Sequence, residues 1–82
     1  MAAIPATIDQ IAAEVGGLLS EGESAMALRV ALRFVELAEK ASSEQRAAMV
    51  AEAPRPTGDE RFDALLAGLV EYCCARQVEL PP

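Results

Sequence analysis

The stretch SAMALRVALRFVELAEKA, Ser24 to Ala41, decides the fold. At about 100° per residue, Arg29, Arg33, Glu36 and Lys40 share one narrow polar stripe. Leu28, Val30, Ala31, Leu32, Phe34, Val35, Leu37, Ala38 and Ala41 take more than half of the remaining circumference. A surface helix needs one apolar stripe, whereas this one has room for neighbours on two sides. The spacing therefore predicts the central, two-sided apolar helix of a small all-α bundle, flanked by other helices or by a partner protein.

Toward the N-terminus, Pro5 prevents an earlier helix start, and Thr7 with Gln10 forms a T-x-x-Q capping box. Ile8, Ile11, Ala12, Val15, Leu18 and Leu19 then repeat at helical spacing, which predicts a helix over 8–20. Gly16-Gly17 weakens it by roughly 1 kcal/mol per glycine relative to alanine, unless another backbone passes close by. Ser20 and Glu23 read as a second capping box, so the central helix starts at Ser20 or Ser24; we place it over 24–41.

Toward the C-terminus, Ser42 and Gln45 open a helix over 43–52, which Pro54 and Pro56 end. A loop over 53–57 follows, too short to separate two domains. Residues 1–82 are thus expected to form one domain of three to four helices. Thr57 and Glu60 give a further capping signal, with Asp59 in the first turn, for a last helix over 58–77. Its apolar face carries Phe62, Leu65, Leu66, Leu69, Val70 and Cys73, and its opposite face the mostly small Glu60, Ala64, Ala67, Gly68, Glu71 and Ala75. Residues 78–82, with Val78 and Leu80, read as an extended apolar tail.

Thirteen acidic against seven basic residues give a net charge of −6 and a pI near 4.4. Such a field repels phosphate backbones, so direct nucleic-acid binding is disfavoured and a basic protein partner is favoured. No basic n-region followed by an apolar core starts the chain, and no apolar run of about 18 residues could span a membrane. With Cys73 and Cys74 adjacent in a helical pattern, where they point about 100° apart and cannot bridge, the expected setting is cytoplasmic with reduced thiols. The sequence contains no histidine, the commonest general base and metal ligand. Cys73-Cys74 lacks the C-x-x-C spacing of redox and zinc sites. The carboxylates fall on helix exteriors and in caps. No enzyme activity, metal or cofactor is therefore expected.

The segment PRPTGDERFDALLAGLVEYCCARQVELPP, Pro54 to Pro82, resembles short actinobacterial antitoxins encoded beside AbiEii-type, or MenA-like, nucleotidyltransferase toxins. The resemblance is carried by Pro56-Thr57-Gly58-Asp59, by Arg61-Phe62-Asp63-Ala64-Leu65-Leu66-Ala67-Gly68-Leu69, and by the Pro-ending stretch; residues 1–53 share only helicity and alanine content. It implies an antitoxin-like protein that occludes the basic cleft of a tRNA-modifying toxin. Its partner-facing residues are then Arg61, Phe62, Leu65, Leu66, Leu69, Tyr72, Val78 and Leu80. If Phe62 and the leucines pack internally instead, Arg61, Tyr72 and the tail remain as the interface. Within these 82 residues no DNA-reading region precedes the segment. A dimerisation or accessory domain of a transcriptional regulator, self-associating through the last helix, is the alternative. Either way, the helices are expected to carry more apolar surface than they can cover themselves.

Overall fold

The first helix starts on the Thr7–Gln10 pair. In the computed structural model, which describes residues 6–78 and side chains through Ala75, Thr7 Oγ1 accepts the Gln10 N–H at 3.1 Å and Gln10 Oε1 accepts the Thr7 N–H at 3.0 Å. Helix α1 then runs Ile8–Ser20. It is followed by α2 (Ser24–Lys40), α3 (Ser43–Met49) and α4 (Glu60–Val78), and the described residues contain no strand. The chain is a small all-α bundle. The Ser42–Gln45 box opens α3 in the same reciprocal way, at 3.1 and 2.9 Å. A cap of this kind contributes about 1 kcal/mol.

Two expected caps are replaced by other devices. Ser20 does not open α2; it closes α1, its hydroxyl donating to the Gly17 carbonyl at 2.7 Å. Gly22, at φ 77°, then turns the chain. The Glu23 N–H reaches the Leu18 carbonyl at 2.9 Å and the Gly22 N–H the Leu19 carbonyl at 3.0 Å. This is a Schellman closure, and it consumes the residues that would have formed the Ser20–Glu23 box. Helix α2 consequently starts on Glu23 with no side-chain cap.

Thr57 likewise does not cap α4. Asp59 does, its Oδ1 accepting the N–H groups of Arg61 at 2.8 Å and Phe62 at 3.2 Å. Gly58, at φ 93°, separates the two residues and delays the helix to Glu60. Thr57 instead donates its hydroxyl and its backbone N–H to Asp63 Oδ1, at 2.7 and 2.8 Å. Helix α3 also ends early, at Met49, where a tight 3.3 Å bond from the Ala51 N–H to the Ala48 carbonyl closes its last turn. The connection to α4 therefore spans 50–59, and α4 continues through Val78, one residue past its expected end; the rest of the expected tail, 79–82, lies outside the described residues.

Ile8, Ile11, Ala12 and Val15 of α1 pack with Ala27, Ala31, Phe34 and Ala38 of α2, and Met49, Leu66 and Cys73 complete the core. Ile11 and Glu14 lie beside Val30, Arg33 and Leu37, so α1 and α2 run antiparallel. Leu28 lies beside Phe62 and Leu65, while Glu39 bonds Tyr72, so α2 and α4 run parallel. The α3–α4 connection makes this possible by crossing α1: Arg55 grips Asp9 through three N–H donors at 2.8–3.1 Å. Two residues on, the Thr57 backbone passes beside Gly16, where an added Cβ would touch its carbonyl oxygen at 3.4 Å. The glycine pair is thus partly explained by a passing backbone, at Gly16 only.

Arg46 of α3 has a role that its sequence position did not announce. Only 9% exposed, it donates from Nε to the Ala38 carbonyl at 3.1 Å and from Nη2 to the Ala41 carbonyl at 2.9 Å. Those carbonyls lie at the end of α2, where the helix's own hydrogen-bond ladder runs out; that of Ala38 also accepts the Ala41 N–H, at a long 3.3 Å. A cation there also complements the negative end of the helix dipole.

Candidate partner-binding groove

Between the first turns of α2 and α4 lies an open groove of about 400 Å³, lined by Ser24, Ala25, Leu28, Arg61, Phe62 and Leu65. Leu28 is 44% exposed, and Leu32, one turn further along the same face of α2, is 49% exposed. Tyr72, 38% exposed, lies further along α4, its hydroxyl donating to Glu39 of α2 at 2.9 Å. From Leu28 to Glu39 is eleven residues, about 16 Å of helix. Among the described residues nothing covers this strip.

The parallel arrangement of α2 and α4 builds the strip. Residues four apart stack on one helix face, so Leu28 and Leu32 form one wall, and Arg61, Leu65 and Tyr72 of α4 share the facing edge. Phe62 and Leu69 sit deeper, half-buried against the core.

Of the residues expected to face a partner, the structure brings Arg61, Phe62 and Leu65 to the groove; Tyr72 is exposed further along α4, where it bonds Glu39. Leu66 is a correction: at 1% exposure it belongs to the buried core cluster with Phe34 and Met49, so the α4 face that carries it is turned inward. Leu69 is half-buried and packs against that cluster. The Val78 side chain and Leu80 lie outside the described residues. Leu28 and Leu32 belong to the apolar arc of α2, which by itself marks no site. Periodicity identified them as apolar, and only the placement of α4 shows them uncovered.

No protein-family model, curated protein or solved structure matches this chain. The groove must therefore be interpreted from its own chemistry.

Its charges are uneven. The starts of α2 and α4 lie side by side at one mouth, where Glu21, Glu23, Asp59 and Glu60 flank the lining Ser24 and Arg61. Arg61 is held 3.8 Å from Asp59, which leaves three carboxylates there beyond that pair. Further along, Arg29, Arg33, Glu36 and Lys40 form the outward stripe of α2, and among the described residues Glu36 makes no ion pair with Arg33 or Lys40.

Two carboxylates are perturbed, both at the strap that crosses α1. Asp9 is held below the usual carboxylate range, chiefly by the side-chain hydrogen bonds from Arg55, whose own pKa is raised in return. Asp63 is lowered chiefly by the Thr57 backbone N–H and then by the Thr57 hydroxyl. Hydrogen bonds to the charged form account for both. Asp9 holds Arg55 and Asp63 holds Thr57, so both act as fasteners of the crossing strap. Cys73 is buried and Cys74 exposed, and neither is in a disulfide. No described His, Cys, Asp or Glu residues converge in a group that could hold a metal, and no helix is long and apolar enough to cross a membrane.

Proposed function

We propose that the chain is an antitoxin-like protein that binds a cognate nucleotidyltransferase toxin and silences it by covering its active cleft in the cytoplasm. The observation that carries this reading is the uncovered α2/α4 strip of Leu28, Leu32, Leu65 and Tyr72 on an otherwise well-closed core. Exposed apolar side chains gathered in one concave place are the usual mark of a protein contact. The class of partner rests on the resemblance over Pro54 to Pro82.

In this reading the chain performs no chemistry of its own. Leucines and Tyr72 anchor, and the net charge of −6 speeds and orients encounter with a phosphate-binding, hence basic, cleft. Inhibition is steric and electrostatic.

The reading predicts a nucleotidyltransferase-like reading frame beside this gene, and the test is growth rescue on co-expression with that frame's product, paired with a tRNA nucleotidyl-transfer assay; a neighbour of another kind counts against the reading. Wild-type chain restores growth and abolishes transfer. Leu28→Asp keeps its helical circular-dichroism spectrum but weakens the complex by about 2 kcal/mol or more, as expected for an interface anchor. Full rescue by Leu28→Asp, or a neighbour that the wild-type chain leaves fully active, ends the proposal. A homodimer formed through α4, with operator binding once fused to a DNA-reading domain, would establish the regulator role instead.

A further inference from the structure

We infer that the α2/α4 groove receives an amphipathic α-helix of the partner, with the basic end of that helix over the mouth where α2 and α4 begin. The inference rests on the groove being the partner site and adds what fits it. An uncovered length of about 16 Å matches about three turns of helix, too short for a domain-sized contact and well suited to a single docked element. Two parallel helices with an apolar trough between them offer the seat used in helix-in-groove recognition, read by a stripe of apolar residues at i, i+3 or i+4, and i+7.

On the α4 side, the next residues around the helix, Ala64 and Gly68, are exposed and small, so a third helix can approach that wall closely. Next to the lining Ser24 and Arg61 in the chain, the exposed Glu21, Glu23 and Glu60 leave an acidic excess beyond the Arg61–Asp59 pair at 3.8 Å. Lysine or arginine on the incoming helix meets them there. A second copy of this chain fits less well, because it would bring another net charge of −6 to the same surface.

Two synthetic helical peptides of about 14 residues, long enough to overhang the groove, test this with the full chain. Both carry the same leucine stripe, one with lysine and glutamine elsewhere and the other with glutamate and glutamine. Fluorescence-anisotropy titration is expected to show saturable binding of the basic peptide, about tenfold tighter than the acidic one, and weakening with added salt. Leu28→Asp and Leu32→Asp each reduce that binding at least about tenfold, whereas Met26→Asp, exposed on the α1 side of α2, leaves it unchanged. Equal affinity for the two peptides, no saturable binding of either, or equal loss in the Met26 variant overturns the inference. So does a concentration-dependent dimer, seen by light scattering, that Leu28→Asp dissolves; the groove then belongs to a second copy. Failure here with toxin neutralisation intact and still sensitive to Leu28→Asp removes the helix and its orientation but keeps the antitoxin reading. Peptide binding without neutralisation does the reverse.

Discussion

Beside α1, helix α2 half-buries Val30 and Leu37 against a fully packed Ile11; beside α4, it leaves Leu28 44% and Leu32 49% exposed. The side chains are alike, so residue type does not explain the difference. What differs is how closely the neighbour approaches. Ala12, Ala27, Ala31 and Ala38 are all essentially inaccessible, and these small residues let α1 lie tightly along α2. Toward α4 the facing residues are the bulkier Leu28, Phe62 and Leu65, which line the open groove. Packing of helices follows the bulk at the contact, with axes closer where residues are small. An alanine-rich sequence can thus seal one side of a central helix and leave the other as a docking surface.

The strongest way to break the sealed side is Phe34→Ala. Phe34 is the largest fully buried side chain, and its truncation is expected to cost about 3–5 kcal/mol. That equals the whole margin of a core this small, roughly 3–5 kcal/mol. Urea denaturation should find the variant largely unfolded without denaturant. Survival with a cooperative transition near wild type would mean that the alanine seam, not Phe34, carries the core.

Next in size is Arg46→Met, which keeps the aliphatic stem and removes the donors. Leaving the Ala38 and Ala41 carbonyls without them is expected to cost about 1.5–3 kcal/mol. Equilibrium unfolding measures the loss, and amide exchange should locate it in the last turn of α2. The effect should not reach the groove mouth, some eighteen residues away along the chain, so peptide or partner binding at Leu28 is retained by the folded fraction.

A gain is expected at Gly17. Exposed, helical and with open space where a Cβ would stand, it has no visible reason to be glycine, and Gly17→Ala should stabilise by about 1 kcal/mol. Gly16→Val, one residue back, should instead push the Thr57 carbonyl away and loosen the strap. Opposite signs from adjacent glycines would confirm that the passing backbone matters at only one of them.

The sequence was legible where its signals were local. The Thr7–Gln10 and Ser42–Gln45 boxes span three residues and form as written. The Ser20 and Thr57 boxes had the same spelling and failed, because Gly22 and Gly58 sit in positive-φ turns that redirect the chain before the box can close. The half of the groove on α4 was legible from its apolar period; Leu66 was misassigned because that period marks apolar residues without saying which neighbour covers them. Arg46, and the Arg55–Asp9 grip across 46 residues, were not legible at all. Both depend on elements that meet only after folding.

The smallest expected effect concerns that grip and the Thr57–Asp63 contact, which together hold the 54–57 strap against α1 and set where α4 begins. Asp9 and Asp63 both have folded-state pKa values below the ordinary 3.8. Each therefore contributes stability that is fully present above that value and is lost as pH falls through the lower folded value. Arg55 is more than half exposed, so its pair with Asp9 is screened and salt should weaken it, whereas the neutral donors of Thr57 keep their hold on Asp63. Acid titration followed by NMR, at low and high salt, separates the two. The Arg55 side-chain signals should respond to both acid and salt, and the Thr57 amide to acid alone. If the Thr57 amide also shifts with salt, the strap is one electrostatic unit, and the position of α4, and with it the width of the groove, depends on ionic strength.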